Sequence, residues 1–404
     1  MYGLLGKKLS HSYSPAIHGL FGDYSYVLFE KNEDELEDFL KNGDWEGINV
    51  TIPYKKAVMP YLDWLDESSE KVGSVNTVLR HDGRLYGYNT DYYGFWELVY
   101  SSKIPFENKK ILILGTGGAS LAVNAVCRDL NAGEIVFISR SGENNYENIS
   151  RHADTDIIIN TTPVGMYPNN LVSPVKLEGF TQLSAVFDTI YNPQKTRLCL
   201  DAERLGIPAF SGLAMLVYQA KKASELFQGT EIGEEKAQSV LKQIGFQMKN
   251  IVLVGMPGSG KSSVGIRLAR ELGRNFLDSD DEILSKTGRS PADIIKADGE
   301  AAFRRIETEI LSDLCKLSGK VIATGGGAVK TKENYDIIRQ NSTVVFLNRR
   351  LESLPTANRP LSQGGSLSQM YEERLPLYEK FADYEVDSNG EINAIVSRVK
   401  EVLK

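Results

Sequence analysis

At 404 residues the chain exceeds one ordinary hydrophobic core, so two or three domains are expected. A net charge of -7 gives no general attraction for nucleic acid or an anionic membrane, and makes small anionic ligands in local basic pockets the better expectation. Cys127, Cys199 and Cys315 lie far apart, His11, His18, His81 and His152 lack zinc-ligand spacing, and no stretch nears the roughly 20 apolar residues of a membrane helix. No disulfide framework, thiolate metal cluster, dedicated metal centre or membrane span is therefore expected, and a soluble, unprocessed cytoplasmic protein is the expectation.

Short apolar runs alternate with helical patterns along most of the chain, which points to an α/β class with parallel sheets and crossover helices. Four polar clusters come first, at 12–15, 49–55, 74–77 and 88–91, each expected at the end of a strand-like run such as 48–52. They carry Ser12, Ser14, Thr51, Asn76, Lys55 and Asp91. If they converge, their hydroxyls, amides, amine and carboxylate suit a polyhydroxylated ring bearing a carboxylate, although such residues also favour caps and turns. Residues 110–120, KILILGTGGAS, then read as strand, glycine turn and helix start, a dinucleotide-binding arrangement in which Ser120 replaces the third glycine of GxGxxG. Gly115, Gly117, Gly118 and Ala119 are its candidate cofactor contacts. The next strand, 135–138, leads into Ser139, Arg140 and Ser141, where an NAD-binding unit places an acid; a cation flanked by hydroxyls suits the 2′-phosphate of NADP instead. The chain from Arg140 to Asp154 is short, so one βα unit is expected to be contracted. Strand 157–159 leads into a turn at 160–166, whose Thr161 is a candidate for the nicotinamide end. A strand at 186–190 precedes helices at 213–227 and 231–243, and the break in pattern at 245–249 marks the expected seam.

Past that seam, strand 251–254 runs into Gly255-Met256-Pro257-Gly258-Ser259-Gly260-Lys261-Ser262, a match to GxxxxGK[ST]. Backbone N–H groups around Gly258, Ser259, Gly260, Ser262 and Ser263 can close on phosphates, Lys261 reaches the outer ones, and Ser262 can ligate Mg²⁺. Asp278-Ser279-Asp280 follows a second strand; one carboxylate can serve the Mg²⁺ shell while the other orients an attacking hydroxyl. The helical segment 303–307 supplies Arg304 and Arg305 for a carboxylate or phosphate, and Gly325-Gly326-Gly327 permits close backbone approach to a ligand.

On these motifs, residues 248–404 resemble shikimate kinase and residues 2–227 resemble shikimate dehydrogenase. The kinase resemblance implies that Asp280, Arg304 and Arg374 hold shikimate with help from Gly326 and Gly327, that Asp280 orients the reacting hydroxyl, and that Asp278 acts through Mg²⁺. It also implies that Arg359, in the mobile lid, meets the transferring phosphate; the segment between 346–350 and Arg359 is shorter than that family's pattern. The dehydrogenase resemblance implies that Ser12, Ser14, Thr51, Asn76 and Gln219 bind shikimate or 3-dehydroshikimate, that Tyr191 lines the pocket, that Lys55 and Asp91 form the catalytic pair, and that Gly212 touches the cofactor. Gly19, Ser211 and Ala214 depart from its pattern. The implied layout is a substrate-binding domain at 1–98, completed by helices within 212–246, a Rossmann-like NADP domain at 99–211 and a P-loop kinase domain at 248–404. A bifunctional enzyme using NADP(H), ATP and Mg²⁺ on these two small acids follows, with no nucleic-acid or membrane partner. Rival readings are a quinate or shikimate dehydrogenase using NAD, a chain with one active half, and a ligand-sensing regulator. Arg140 argues against the first, and retention of Lys55, Asp91, Lys261, Ser262, Asp280 and Arg359 argues against the last. Nothing in the sequence sets the oligomeric state.

Overall fold

Aliphatic and β-branched runs too short for helices pair into three sheets in the computed structural model, which describes residues 1–9, 12–354 and 367–404. The chain divides into two units, Met1–Gly245 and Phe246–Lys404. Among the described residues no helix is long and apolar enough to cross a membrane.

The first sheet of unit one joins β1 (Tyr2–Gly6), β2 (Tyr26–Glu30), β3 (Gly47–Val50), β4 (Trp64–Leu65), β5 (Thr77–His81) and β6 (Arg84–Tyr88) in the order β2-β1-β3-β5-β6-β4. It is mixed rather than wholly parallel. Asp82 and Gly83 both take positive φ, 48° and 73°, and close a tight hairpin between β5 and β6, so β5 runs antiparallel to β3 and β6. The expectation that every polar cluster ends a strand fails here: Asn76 immediately precedes β5. Reversal of β5 nevertheless returns its first residue to the edge where β1, β3 and β6 end.

The second sheet is all parallel, with β7 (Lys110–Leu114), β8 (Glu134–Ile138), β9 (Ile157–Asn160), β10 (Ala185–Asp188) and β11 (Ala209–Ser211) in the order β11-β10-β9-β7-β8. Chain direction across the sheet reverses at β7, which opens a crevice at the carboxyl ends of β7 and β9. A 3₁₀ turn, Ile149–His152, is the helical element between β8 and β9, the contraction expected from the short sequence there. The helix Leu213–Gln228 then packs on Ser14–Phe21 and Thr90–Ser102; a Cβ on Gly94 would lie 2.5 Å from the Met215 carbonyl, so glycine permits the close helix approach.

The helix Glu234–Met248 continues through Gly245, contrary to the expected break. One glycine costs a helix about 1 kcal/mol, and the buried Ile244 and Met248 anchor the last turn. Unit two has a third, parallel sheet of β12 (Asn250–Val254), β13 (Phe276–Asp278), β14 (Val321–Ala323), β15 (Ser342–Asn348) and β16 (Tyr384–Asp387), ordered β13-β14-β12-β15-β16. Alternation along β12 sends Ile251 and Leu253 toward the helices Lys261–Leu272 and Ile392–Val402, and Val252 and Val254 toward Glu300–Cys315 and Leu367–Phe381. Both faces are thereby covered, and ligands are left to the carboxyl edge.

Candidate active sites

In unit one the carboxyl edges of the two sheets share a cavity of about 250 Å³. Chain leaving β1 delivers Ser12 and Ser14, and chain leaving β3 delivers Thr51 and Lys55. Asn76 comes from the start of β5. Asn89 caps the helix Thr90–Ser102 by accepting from Tyr92 N–H at 3.2 Å, which sets Asp91 in the first turn. Ala119, Tyr191 and Gly212 come from the second sheet's side, and Gln219 from the helix Leu213–Gln228. Ten residues picked from separate parts of the sequence thus line one cavity.

Lys55 Nζ donates to Asp91 Oδ2, and both side chains are partly shielded from water. Asn76 Oδ1 accepts from Thr90 N–H at 2.6 Å, and Thr90 Oγ1 lies 3.4 Å from Gln219 Oε1, so amides at the pocket wall are held by the helix that carries Asp91. Asn49 was missed as a site residue. It lines the cavity, is buried, accepts from Tyr26 Oη at 2.7 Å and donates to Thr77 Oγ1 at 2.9 Å. Its signal was a lone amide in the otherwise apolar strand 47–50. Thr189 also lines the wall, directly after β10. His18 is no catalytic candidate: it is wholly buried, stacks on Tyr26 at 4.0 Å, and burial pushes its pKa down to about 3, which keeps the ring neutral.

The glycine turn after β7 abuts this cavity. Gly115 has φ +100°, and a Cβ there would lie 2.8 Å from Thr162 Cγ2 and 3.1 Å from Thr161 Oγ1. Thr161 Oγ1 itself donates to the Leu114 carbonyl at 2.7 Å. Gly117 faces open space, while a Cβ on Gly118 would lie 3.9 Å from Lys55 Cδ. The helix Gly118–Asp129 therefore begins beside the lysine, with its first N–H groups and positive dipole end available to a pyrophosphate. Ser120, in the place of the third glycine, is buried and donates to the Gly117 carbonyl at 2.6 Å, so the replacement closes the turn from within. Ser139 follows β8 and Arg140 is exposed beside it; Gly115 N–H bonds to the Ile138 carbonyl at 2.8 Å, so both sit next to the glycine turn. The donor set fits a dinucleotide with an extra phosphate.

In unit two, Gly258 and Gly260 take φ of +88° and +97° and fold the loop over the start of Lys261–Leu272. Lys261 Nζ donates to the carbonyls of Gly255 at 2.9 Å and Met256 at 3.0 Å. Ser259 Oγ is buried with no hydrogen-bond partner among the described residues, while Ser262 and Ser263 are exposed. Ser262 Oγ donates to Asp278 Oδ2 at 2.7 Å, a hydroxyl and carboxylate pair of the kind Mg²⁺ takes. Asp278 also accepts from Asp280 N–H at 3.0 Å and caps the helix Ser279–Thr287. Burial, and then the charge of Asp278, raise the pKa of Asp280.

The three glycines do not form a loose loop. A Cβ on Gly325 would lie 2.7 Å from Glu307 Oε1 and 3.1 Å from Asp280 Oδ1, and one on Gly326 would lie 2.7 Å from the Pro257 ring. Gly327 lies against the Arg304 guanidinium. Arg374, buried, donates to the Gly326 carbonyl at 3.1 Å, and Tyr378 Oη donates to the same oxygen. Glu307, given no role from sequence, is wholly buried and pairs with Arg304 at 2.7 Å. Its signal was i,i+3 spacing from that arginine on one helix. Asp280, Arg304, Arg374, Gly326 and Gly327 are thus one cluster beside the phosphate loop. Arg359 lies outside the described residues.

These two sites define the protein's class: a dinucleotide-dependent α/β reductase and a P-loop kinase in one chain. Residues 4–78 match the family model for the shikimate dehydrogenase substrate binding domain, and residues 257–404 match the one for shikimate kinase. Shikimate dehydrogenase (NADP(+)) of Clostridium beijerinckii is 39% identical over 259 residues, spanning 59% of this chain and 96% of that relative. Among solved structures, shikimate dehydrogenase 1 from Peptoclostridium difficile aligns with a TM-score of 0.56 at 35% identity, covering 60% of this chain and 97% of that one. The Thermus thermophilus shikimate 5-dehydrogenase in complex with NADP(H) and shikimate aligns with a TM-score of 0.55 at 29% identity, covering 60% and 98%. The chain belongs to the shikimate dehydrogenase family and carries a shikimate kinase domain at its C-terminal end.

Proposed function

We propose that this chain carries out two consecutive steps, NADPH-dependent reduction of 3-dehydroshikimate to shikimate and ATP-dependent phosphorylation of shikimate to shikimate 3-phosphate. The observation that carries the first step is the Lys55–Asp91 pair inside the cavity lined by Tyr191 and Gln219, with the glycine turn alongside. Ser12, Ser14, Thr51, Asn76 and Gln219 hold the ring's hydroxyl and carboxylate groups. Bound NADPH supplies the hydride. Lys55 donates a proton to the oxygen of the ring carbonyl as negative charge develops there, and Asp91 fixes the amine for that transfer. Gly115, Gly117, Gly118, Ala119, Thr161 and Gly212 form the cofactor's bed, and Ser139 with Arg140 takes the 2′-phosphate.

For the second step, Arg304 and Arg374 hold the carboxylate against the backbone of Gly326 and Gly327. Asp280 orients the 3-hydroxyl and accepts its proton; its raised pKa brings it closer to a working base. ATP with Mg²⁺ provides the phosphoryl group and a counter-charge, with Ser262 and Asp278 as the metal's side-chain partners. Lys261, the loop N–H groups and, by the family resemblance, Arg359 offset charge developing on the transferring group. Residues 1–98 with helices from 212–246, residues 99–211 and residues 248–404 are the corresponding substrate, NADP and kinase domains. Free, buried Cys127, Cys199 and Cys315 accord with a cytoplasmic setting.

One assay tests this reading. Purified chain given dehydroshikimate, NADPH and Mg-ATP is expected to form shikimate 3-phosphate only as NADPH is oxidised. Phosphorylation of supplied shikimate with NADPH untouched by dehydroshikimate would overturn the reductase half. Arg140→Ala is expected to raise KM for NADPH about ten-fold or more, the loss of a charge-assisted hydrogen bond to phosphate, with little change in KM for NADH. Equal effects on both cofactors would remove Arg140 from the phosphate site.

A further inference from the structure

Asp188 ends β10 wholly buried, and neither step above uses it. Its Oδ1 accepts hydrogen bonds from Ile190 N–H and from Asn160 Nδ2, both at 3.0 Å, and its Oδ2 accepts from Thr196 Oγ1 at 2.6 Å. No cation is among these partners, and burial lifts the carboxyl to about 7 although all three donors act to lower it. A carboxylate so placed is costly to keep unless its hydrogen bonds are needed.

The donors lead to both ligand regions. Ile190 lies between Thr189 and Tyr191, which both line the substrate cavity. Asn160 ends β9 in register with Asp188, and its Oδ1 accepts from Thr162 N–H at 3.0 Å and Thr162 Oγ1 at 2.7 Å. Thr162 Cγ2 in turn packs against Gly115 of the dinucleotide loop, 2.8 Å from where a Cβ would sit. A continuous set of hydrogen bonds and one packing contact thus runs from Tyr191's segment through Asp188 and Asn160 to the glycine turn.

We propose that Asp188 is a positioning residue for the reduction, tying the substrate wall at 189–191 to the turn at 160–162 that lies against the dinucleotide loop. This role rests on the reductase reading above. Asp188→Ala removes the side-chain acceptors of Ile190 N–H, Asn160 Nδ2 and Thr196 Oγ1 and leaves the backbone bond from Thr189 N–H to the Asn160 carbonyl at 2.9 Å, so KM for dehydroshikimate and KM for NADPH should both rise about ten-fold, with kcat held within about three-fold. Asp188→Asn keeps an acceptor for Ile190 and Asn160, while the Thr196 hydroxyl can turn to accept from the amide; both KM values should return close to those of the parent. Asn160→Ala cuts only the cofactor side, and should raise KM for NADPH while leaving KM for dehydroshikimate within about two-fold. The measurement is NADPH oxidation by the full chain without ATP, each substrate varied in turn. Unchanged KM values in Asp188→Ala, or a fall in kcat alone, would assign Asp188 to stability and overturn the role. Should Asp188→Ala fail to fold, Asn160→Ala decides: equal rises in both KM values, or none, overturn it. No dehydroshikimate-dependent oxidation by the parent chain would instead overturn the reductase reading, and this role with it.

Discussion

Lys55→Ala should lower dehydroshikimate reduction by about 10²- to 10⁴-fold, the range for loss of a positioned general acid, and leave shikimate phosphorylation at the parent rate. In this structure Lys55 is bonded to Asp91, lines the cavity and stands beside the start of the helix Gly118–Asp129. Alanine removes the proton donor and leaves Asp91, a partly shielded carboxylate, without its cation. The loss should fall chiefly on kcat, because proton donation matters most as charge develops on the reacting oxygen. Separate assays of NADPH oxidation and shikimate 3-phosphate formation check it. Lys55 and the kinase cluster belong to different units of the chain, so loss of both activities would sink the view that the two sites work independently.

The reciprocal change, Lys261→Ala, should lower phosphorylation by about 10²- to 10³-fold, the range for removing one preorganised charge-stabilising group, and spare reduction. The lysine opens the helix Lys261–Leu272 and is itself almost wholly buried in the loop. Its bonds to the Gly255 and Met256 carbonyls show that Nζ reaches back over the loop it follows. Alanine therefore removes both a positive charge at the phosphates and a brace of the loop, so KM for ATP should rise along with the fall in kcat. Initial rates at varied ATP with supplied shikimate separate these effects. A variant that keeps its phosphorylation rate would show that the outer phosphates are held by other groups.

Where sequence was sufficient, chemistry was local. The phosphate loop needs glycines at fixed offsets between a strand and a helix, and so does the dinucleotide turn; both are contiguous in the chain and both fold as read. Ser120 shows the limit of such a pattern: its replacement of a glycine could be seen, but its inward bond to Gly117 depends on how the helix seats on the sheet. The same holds for the helix through Gly245, where tertiary burial of Ile244 and Met248 outweighs one residue's low propensity.

By itself, then, the sequence determined the α/β class, the two phosphate-binding turns, the charge at Arg140 and the residue types available for acid, base and metal work, because each is set by short-range spacing and composition. Only the tertiary structure decided that Ser12, Lys55, Asn76, Asp91, Tyr191 and Gln219 share one cavity, since the reversal of β5 and the return of the helix Leu213–Gln228 act across tens to hundreds of residues. It alone brought out Asn49, Glu307 and Asp188. A buried polar residue is distinguished by what surrounds it, and for these three the surroundings are assembled from distant strands or successive helix turns rather than from neighbours in the chain.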